Sequence, residues 1–359
     1  MRTRVFRLLT VSIVGPLAAL TLSSLVIALS TDRFLDVRNL QNLSLQVSII
    51  ALIAVGSTLV ILTGGIDLSP GSQVAVLTML LATFVKFQHQ PLGVAIPEIV
   101  LIGGGLGLVN GILVAYGRIP SFIVTLGTLT AYKGWAFLFN NGSPIFSVSD
   151  QLDPIFYGTW LGVPRPLYYV VILYLIAFIF LNYTIPGRAI YSVGGNEVAA
   201  RLSGINVARA RLLAFTLAGC TAGLAGVLMT ARLNSGSPNY GAGFELQAIG
   251  AAVIGGASLA GGYGNILSTL LGALTIVVVQ NGLNLNDVPT SWQQIVLGFI
   301  IVFAVGVDSW RLQIGALARR VLPAAVLRWS RAAPVGQAVA PTGRSEREVP
   351  EITGPRKEE

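Results

Sequence analysis

Residues able to do polar chemistry are few in this chain, and the densest group falls between positions 188 and 211. Asn196 has the side chain of a helix N-cap, able to accept from an unpaired N–H two or three residues on. Glu197 and Arg201 are spaced to meet across one helical turn, and Gly204 supplies the left-handed residue at which such a helix stops. Asn206 stands ready to cap the helix that follows, past Arg209 and Arg211. With Gly194 and Gly195 as a flexible entry, the segment reads as a short helix outside any apolar span, showing Val198 and Leu202 on one side. Two chemistries suit it equally: a helix resting on lipid, or a plug offered to the groove of another protein.

A second set of polar groups is scattered inside or at the ends of apolar stretches: Asp67, Glu98, Lys133, Glu245 and Asp308. Asp67 follows the Gly64-Gly65 break, where a carboxylate either accepts from freed backbone N–H groups or touches a solute or ion. Lys133, near Trp135, either snorkels along its stem or donates into a pore. Asp67, Ser69, Ser121, Thr125, Thr128 and Asn281 are the polar groups placed to line a translocation pathway. None forms an evident proton relay with a partner.

Other chemistries lose their residues. There is one histidine, His89, in a polar patch, too few for a metal centre or a triad. The one cysteine, Cys220, lies among Ala218, Gly219, Ala222 and Gly223, as a thiol filling helix packing does. A phosphate-cradling P-loop needs a lysine just after glycine, whereas Lys86, Lys133 and Lys357 follow Val85, Tyr132 and Arg356. A Gly-x-Ser-x-Gly elbow is missing as well, so an intramembrane serine protease is disfavoured.

The elements that position these groups follow from composition. Of 359 residues 53% are hydrophobic and 11% charged, against about 25% charged in a soluble domain. The bilayer is therefore the solvent, and 41 glycines suit close helix contacts within it. Apolar runs give ten candidate spans, at 8–30, 46–63, 72–88, 95–116, 121–140, 167–183, 211–231, 245–260, 264–283 and 292–309. The fold class is an all-α polytopic membrane protein of about ten helices, some broken or re-entrant at Gly64-Gly65 and Gly255-Gly256. The first run, preceded by Arg2, Arg4 and Arg7, is too long for a signal peptide and reads as an uncleaved span.

An even number of crossings puts both termini on one side. The cytoplasmic segments then hold the N-terminal arginines, Arg118, Arg188, Arg201, Arg209, Arg211 and the basic tail, as the positive-inside bias requires. The net charge of +8 is thus an orientation signal and not a nucleic-acid footprint. Residues 1–310 make the transmembrane domain, and 311–359 a basic, largely disordered cytoplasmic tail. The stretches 64–71 and 255–262 both fit Gly-Gly-x-x-Leu-x-x-Gly, each between apolar runs, which suggests an internal duplication.

Four blocks carry a resemblance. They are the run from Ala54 through Gly64-Gly65-Ile66-Asp67-Leu68-Ser69-Pro70-Gly71 to Ser72, Ile119-Pro120-Ser121-Phe122-Ile123-Val124-Thr125-Leu126-Gly127-Thr128, the run from Gly194 to Ile205, and the run from Gly250 to Leu259 with Gly261-Gly262. Together they resemble the ribose-type sugar permeases of ATP-binding cassette importers, from about residue 46 to 310.

The resemblance implies a transport subunit with no catalytic residues and no cofactor of its own, working in the bacterial inner membrane on a ribose- or xylose-type sugar or a polyol. It implies a cytoplasmic ATP-binding partner, a periplasmic sugar-binding protein and a second permease copy. It also tips the open choice at 188–211 toward a protein partner. Gly194, Gly195, Asn196, Glu197, Arg201 and Gly204 would then form the loop seated in the ATPase. The rival expectation is a stand-alone secondary transporter or facilitator for sugars or polyols, or a related permease for another small solute.

Overall fold

The structure, a computed structural model, describes residues 2–321, with side chains placed from 13 to 307. Contacts divide the chain into Met1–Arg311 and Leu312–Glu359. Beyond Val321 the expected tail lies outside the described residues.

Thirteen α-helices are described in chain order: α1 (Arg2–Ser30), α2 (Val37–Leu62), α3 (Pro70–Ala82), α4 (Leu92–Ala115), α5 (Ser121–Leu138), α6 (Asp153–Phe156), α7 (Arg165–Tyr183), α8 (Ile185–Gly195), α9 (Glu197–Leu202), α10 (Val207–Leu233), α11 (Phe244–Ile254), α12 (Ile266–Leu285) and α13 (Thr290–Val321). A π-helical turn prolongs α3 to Phe87. The strands are two short ribbons, Ile145–Phe146 with Ser235–Gly236 and Thr159–Trp160 with Val163–Pro164. Among the described residues nine helices are long and apolar enough to cross a membrane.

The run expected to span at 245–260 is not one continuous helix: the chain crosses back between the end of α10 and the start of α12, which lies at the Thr58 end of α2, partly as helix and partly as irregular backbone. Its helix, α11, has 11 residues, a rise of about 16 Å against a hydrocarbon core of about 30 Å. Gly255 and Gly256 end it, the latter at φ +87. The chain reaches α11 through an irregular segment lying along α3, where Gly236 neighbours Thr78 and Gly241 neighbours Gly71 and Val74. On the other side of the same region α2 ends at Leu62, residues 64–69 run without helix, and α3 starts at Pro70. Two interrupted helices thus begin beside one another, Gly71 on α3 against Glu245 on α11.

The helix α2 is buried continuously from Val47 to Leu62 and forms the centre. It is apolar on every face from Val47 to Leu62 apart from small hydroxyl residues, as a helix enclosed by others must be. It runs antiparallel to α12: Asn39 and Asn281 exchange two amide hydrogen bonds of 3.0 and 2.8 Å at one end, and Thr58 meets Thr269 at 3.0 Å toward the other. Against α10, α4 presents Gly103 and Gly107, facing Gly219 and Gly223, and Gly111, facing Leu212. This spacing of small residues brings the two backbones into contact, the usual way of gaining packing energy where no hydrophobic drive exists between helices. Cys220 lies in that contact, beside Gly104.

Candidate functional site

The segment 188–211 folds as its capping residues dictate, with one addition. Asn196 Oδ1 accepts from Ala199 N at 2.9 Å and opens α9. Gly204 closes it at φ +80, and Asn206 Oδ1 accepts from Arg209 N at 2.9 Å to open α10. Glu197 bonds Arg201 Nη2 at 2.8 Å, as the one-turn spacing requires, and also Arg211 Nη2 at 2.6 Å. The second bond clamps α9 to the first turn of α10. Donation from Arg211, ahead of that from Arg201, holds the Glu197 carboxyl below its usual range. So braced, α9 exposes Val198 and Leu202, at 69% and 85% of their surface.

The addition is α8. Gly194 and Gly195 are its last two residues and not a flexible entry, because tertiary packing offsets the low helix propensity of glycine. Gly194 touches two distant backbones, the Leu62 carbonyl and the Gly262 N–H, which are themselves hydrogen-bonded at 3.0 Å. Gly262, at φ +70, lies against Gly195. Gly261 lies against both Gly64 and Gly194. The two Gly-Gly-x-x-Leu-x-x-Gly stretches, 64–71 and 255–262, thus meet each other and the end of α8 at one point. Tyr191 reinforces the junction from α8, its hydroxyl donating to the Gly264 carbonyl at 2.9 Å. Burial pushes that hydroxyl up to about 12.

Beside the junction opens a cavity of about 810 Å³, reached by Gly64, Gly65, Arg118, Ser121, Glu197 and Arg211 among others. Thr63, Gly64 and Gly65 at the α2–α3 break form part of its wall, and of the six residues expected to line a pathway only Ser121 lines it; four of the six converge at the break itself. Asp67 Oδ1 accepts from Ser69 N at 2.9 Å and Ser69 Oγ at 2.6 Å. Ser69 Oγ in turn accepts from Gln73 Nε2 and Asn110 Nδ2, each at 2.8 Å. Ser121 Oγ accepts from Ile66 N at 3.0 Å, and Thr125 Oγ1 donates to Ile66 O at 3.2 Å. Asp67, Ser69 and Thr125 are all buried. They hold the non-helical stretch 66–69 in shape, Asp67 through Oδ1, while Asp67 Oδ2 is buried with no hydrogen-bond partner among the described residues.

The other two residues stand apart. Thr128 bonds the Thr125 carbonyl of its own helix at 3.3 Å. Asn281 pairs with Asn39 near the opposite end of α2. Sequence reading missed Gln73, Asn110 and Tyr191. Asn110, a lone amide inside a glycine-rich apolar helix, carried the one signal that could have flagged it, since a polar group there needs a partner. Among the described residues no three His, Cys, Asp or Glu side chains gather as metal ligands do.

Over residues 39–305 the chain matches the family described as "Branched-chain amino acid transport system / permease component". It is 43% identical over 297 residues to the ribose import permease protein of Escherichia coli strain K12, covering 82% of this chain and 92% of that one. The ribose import permease protein of Bacillus subtilis strain 168 is 40% identical over 296 residues, 82% of this chain and 92% of its own. The D-allose transport system permease protein of Escherichia coli strain K12 is 38% identical over 281 residues, covering 78% and 86%. No solved structure matches significantly.

Proposed function

This chain belongs to the family of branched-chain amino acid transport system permease components, and from that premise we propose that it is the membrane subunit of an importer that carries a monosaccharide. The sugar reading is supported by the relatives, whose names specify ribose, allose, arabinose and xylose. Its activity is transport. ATP is bound by a separate cytoplasmic subunit, a periplasmic binding protein delivers the sugar, and a second permease copy completes the pathway. Both termini face the cytoplasm of a bacterial inner membrane, which places α8, α9 and the glycine junction on the cytoplasmic side.

One observation carries the mechanism: α9 is rigidly braced through Glu197, exposes Val198 and Leu202, and is joined by α8 to the breaks of both interrupted helices. The ATPase subunit grips the apolar side of α9. When ATP closes the ATPase dimer, the pull passes through Gly194 to residues 62–64 and 261–262, and so to α3 and α11. Coupling of this kind is a shift between two pathway states, biased by whichever partner binds one of them better.

The test uses the complex in liposomes, with partner ATPase and binding protein. Glu197→Arg, or deletion of 196–203, is expected to abolish ATP-driven sugar uptake while membrane insertion stays intact. Undiminished uptake by either variant, or sugar flux through the purified chain alone, would overturn the reading.

A further inference from the structure

A carboxamide inside an apolar bundle needs a partner, and at the Asn39 end of α2 some have one. Asn39 and Asn281 bond each other, and Gln293 Nε2 donates to Asn284 Oδ1 at 2.8 Å. Others there are left open. The side chains of Gln46, Gln247 and Gln280, and the guanidinium of Arg232, take part in no hydrogen bond or ion pair among the described residues. All four line one cavity of about 330 Å³, together with Phe244. Each is half-buried, neither sealed in the core nor spread on the surface.

Helical spacing brings them there. Gln46 shares one face of α2 with Ile49 and Ile50, and Gln280 one face of α12 with Val277 and Asn284. Phe244 and Gln247 stand one turn apart at the start of α11, and Arg232 closes α10. Gln46 precedes Leu62 by sixteen residues, which sets the cavity about 24 Å along α2 from the glycine junction. The interrupted helix α11 connects the two, starting in the cavity wall and ending at Ile254, eight residues before Gly262. Transporters hold solutes where such helices begin.

No Asp or Glu lines the cavity, so a cationic solute finds no counter-charge. A carboxamide both donates and accepts, as a hydroxyl does, and adjacent hydroxyls can bond it from its two ends. The guanidinium donates as a fork to a pair of oxygens. Phe244 adds the apolar surface that fixes a small ring beside a few placed polar groups. We propose that this cavity is a monosaccharide subsite at the end of the bundle where the sugar enters, with Gln46, Gln247, Gln280 and Arg232 as its hydroxyl contacts. The proposal rests on the importer reading above and adds the residues that touch the cargo.

Cys220 being the one cysteine of the chain, a Cys220→Ser background isolates a test. In the assembled transporter, Gln247→Cys and Gln280→Cys are each treated with a charged, water-soluble methanethiosulfonate, beside Leu175→Cys on the exposed apolar side of α7. A thiolate forms and reacts only where water reaches, so both cavity positions are expected to react at least about tenfold faster than position 175. D-Ribose, D-allose, L-arabinose and D-xylose are tried in turn. Whichever of them the Cys220→Ser transporter takes up is expected, with its binding protein, to slow labelling at both positions. Labelling no faster than at 175, or indifferent to the transported sugar, overturns the proposal. Water access is read without uptake, so slow labelling strikes the cavity alone, whereas uptake of none of the four sugars strikes the importer reading. Gln247→Leu and Gln280→Leu are expected to cut uptake about five- to tenfold without lowering the thermal midpoint, since neither side chain holds the fold. Parental uptake, or a midpoint that falls with the uptake, also overturns the proposal.

Discussion

Replacing Gly194 by alanine tests whether α8 is seated on the two helix breaks as closely as the geometry requires. The added Cβ would run into the Leu62 carbonyl oxygen and the Gly262 N–H, the two ends of one 3.0 Å hydrogen bond. Both are backbone, in turns fixed by Gly64 at φ +78 and Gly262 at φ +70, so neither can swing aside as a side-chain tip would. Loss of the bond costs about 1 kcal/mol and overpacking about 1–3 kcal/mol, so about 2–4 kcal/mol together. If the contact is made in only one of the two pathway states, even the low end moves their balance about thirtyfold. Gly204 is the control: at φ +80 it needs a left-handed conformation, yet a Cβ there meets nothing within 4 Å. Gly204→Asn, which tolerates that conformation, is expected to leave function unchanged. The assay measures ATP hydrolysis and sugar uptake in the same proteoliposomes, with the thermal midpoint of the purified complex. Gly194→Ala is expected to lower the midpoint and cut sugar moved per ATP, while Gly204→Asn changes neither. Parental uptake per ATP and an unchanged midpoint in Gly194→Ala would refute the seating of α8 on the breaks.

Three further outcomes follow from the same contacts. Tyr191→Phe removes the donor to the buried Gly264 carbonyl and is expected to cost about 1 kcal/mol, seen as a lower thermal midpoint. The raised Tyr191 hydroxyl contributes its stability fully below its ordinary value near 10 and loses it only as pH rises through about 12, so the effect of the substitution is flat with pH across the neutral range. The depressed Glu197 carboxyl works in the other direction: its contribution is present above its ordinary value near 4.5 and is lost as pH falls through the lower folded value. Solvent screening keeps the energy small; amide exchange over 197–202 is expected to rise on acidification in the parent, while Glu197→Gln shows fast exchange throughout. Ser69→Ala strands the buried amide donors of Gln73 and Asn110, at about 1–3 kcal/mol for each unsatisfied partner, and leaves Asp67 Oδ1 with the Ser69 N–H alone, whereas Thr128→Ala removes only a bond within its own helix; comparable thermal midpoints for the two would refute the hub role of Ser69.

The contrast between what was legible and what was not is clearest at α8 to α10. Asn196, Glu197, Arg201, Gly204 and Asn206 act over three or four residues, so their spacing alone specified the caps, the ion pair and the stop. Arg211 was fourteen residues from Glu197 and gave no such signal, although it makes the shorter of the two bonds. Gly194 and Gly195 read as flexible because glycine is a poor helix former, yet enclosure by two other backbones makes them the fixed end of a helix. At 245–260 hydropathy recorded that the run avoids water and was silent on how deep it starts. Its 11-residue helix begins part way in because the preceding irregular segment is laid along α3.

Local chemistry thus wrote the apolar spans, their charge bias and the capped turn at 196–206, since those depend on transfer energies and on neighbours within one or two helical turns. The tertiary structure decided which polar groups hold the backbone. Ser121 and Thr125 meet the backbone of Ile66 across more than fifty residues of chain, and Asn110 meets Ser69 across more than forty. Residues in successive helices share depth without sharing direction. The direction is set by how closely small residues such as Gly71, Gly194 and Gly262 let backbones approach, a property of two surfaces together and of neither segment alone.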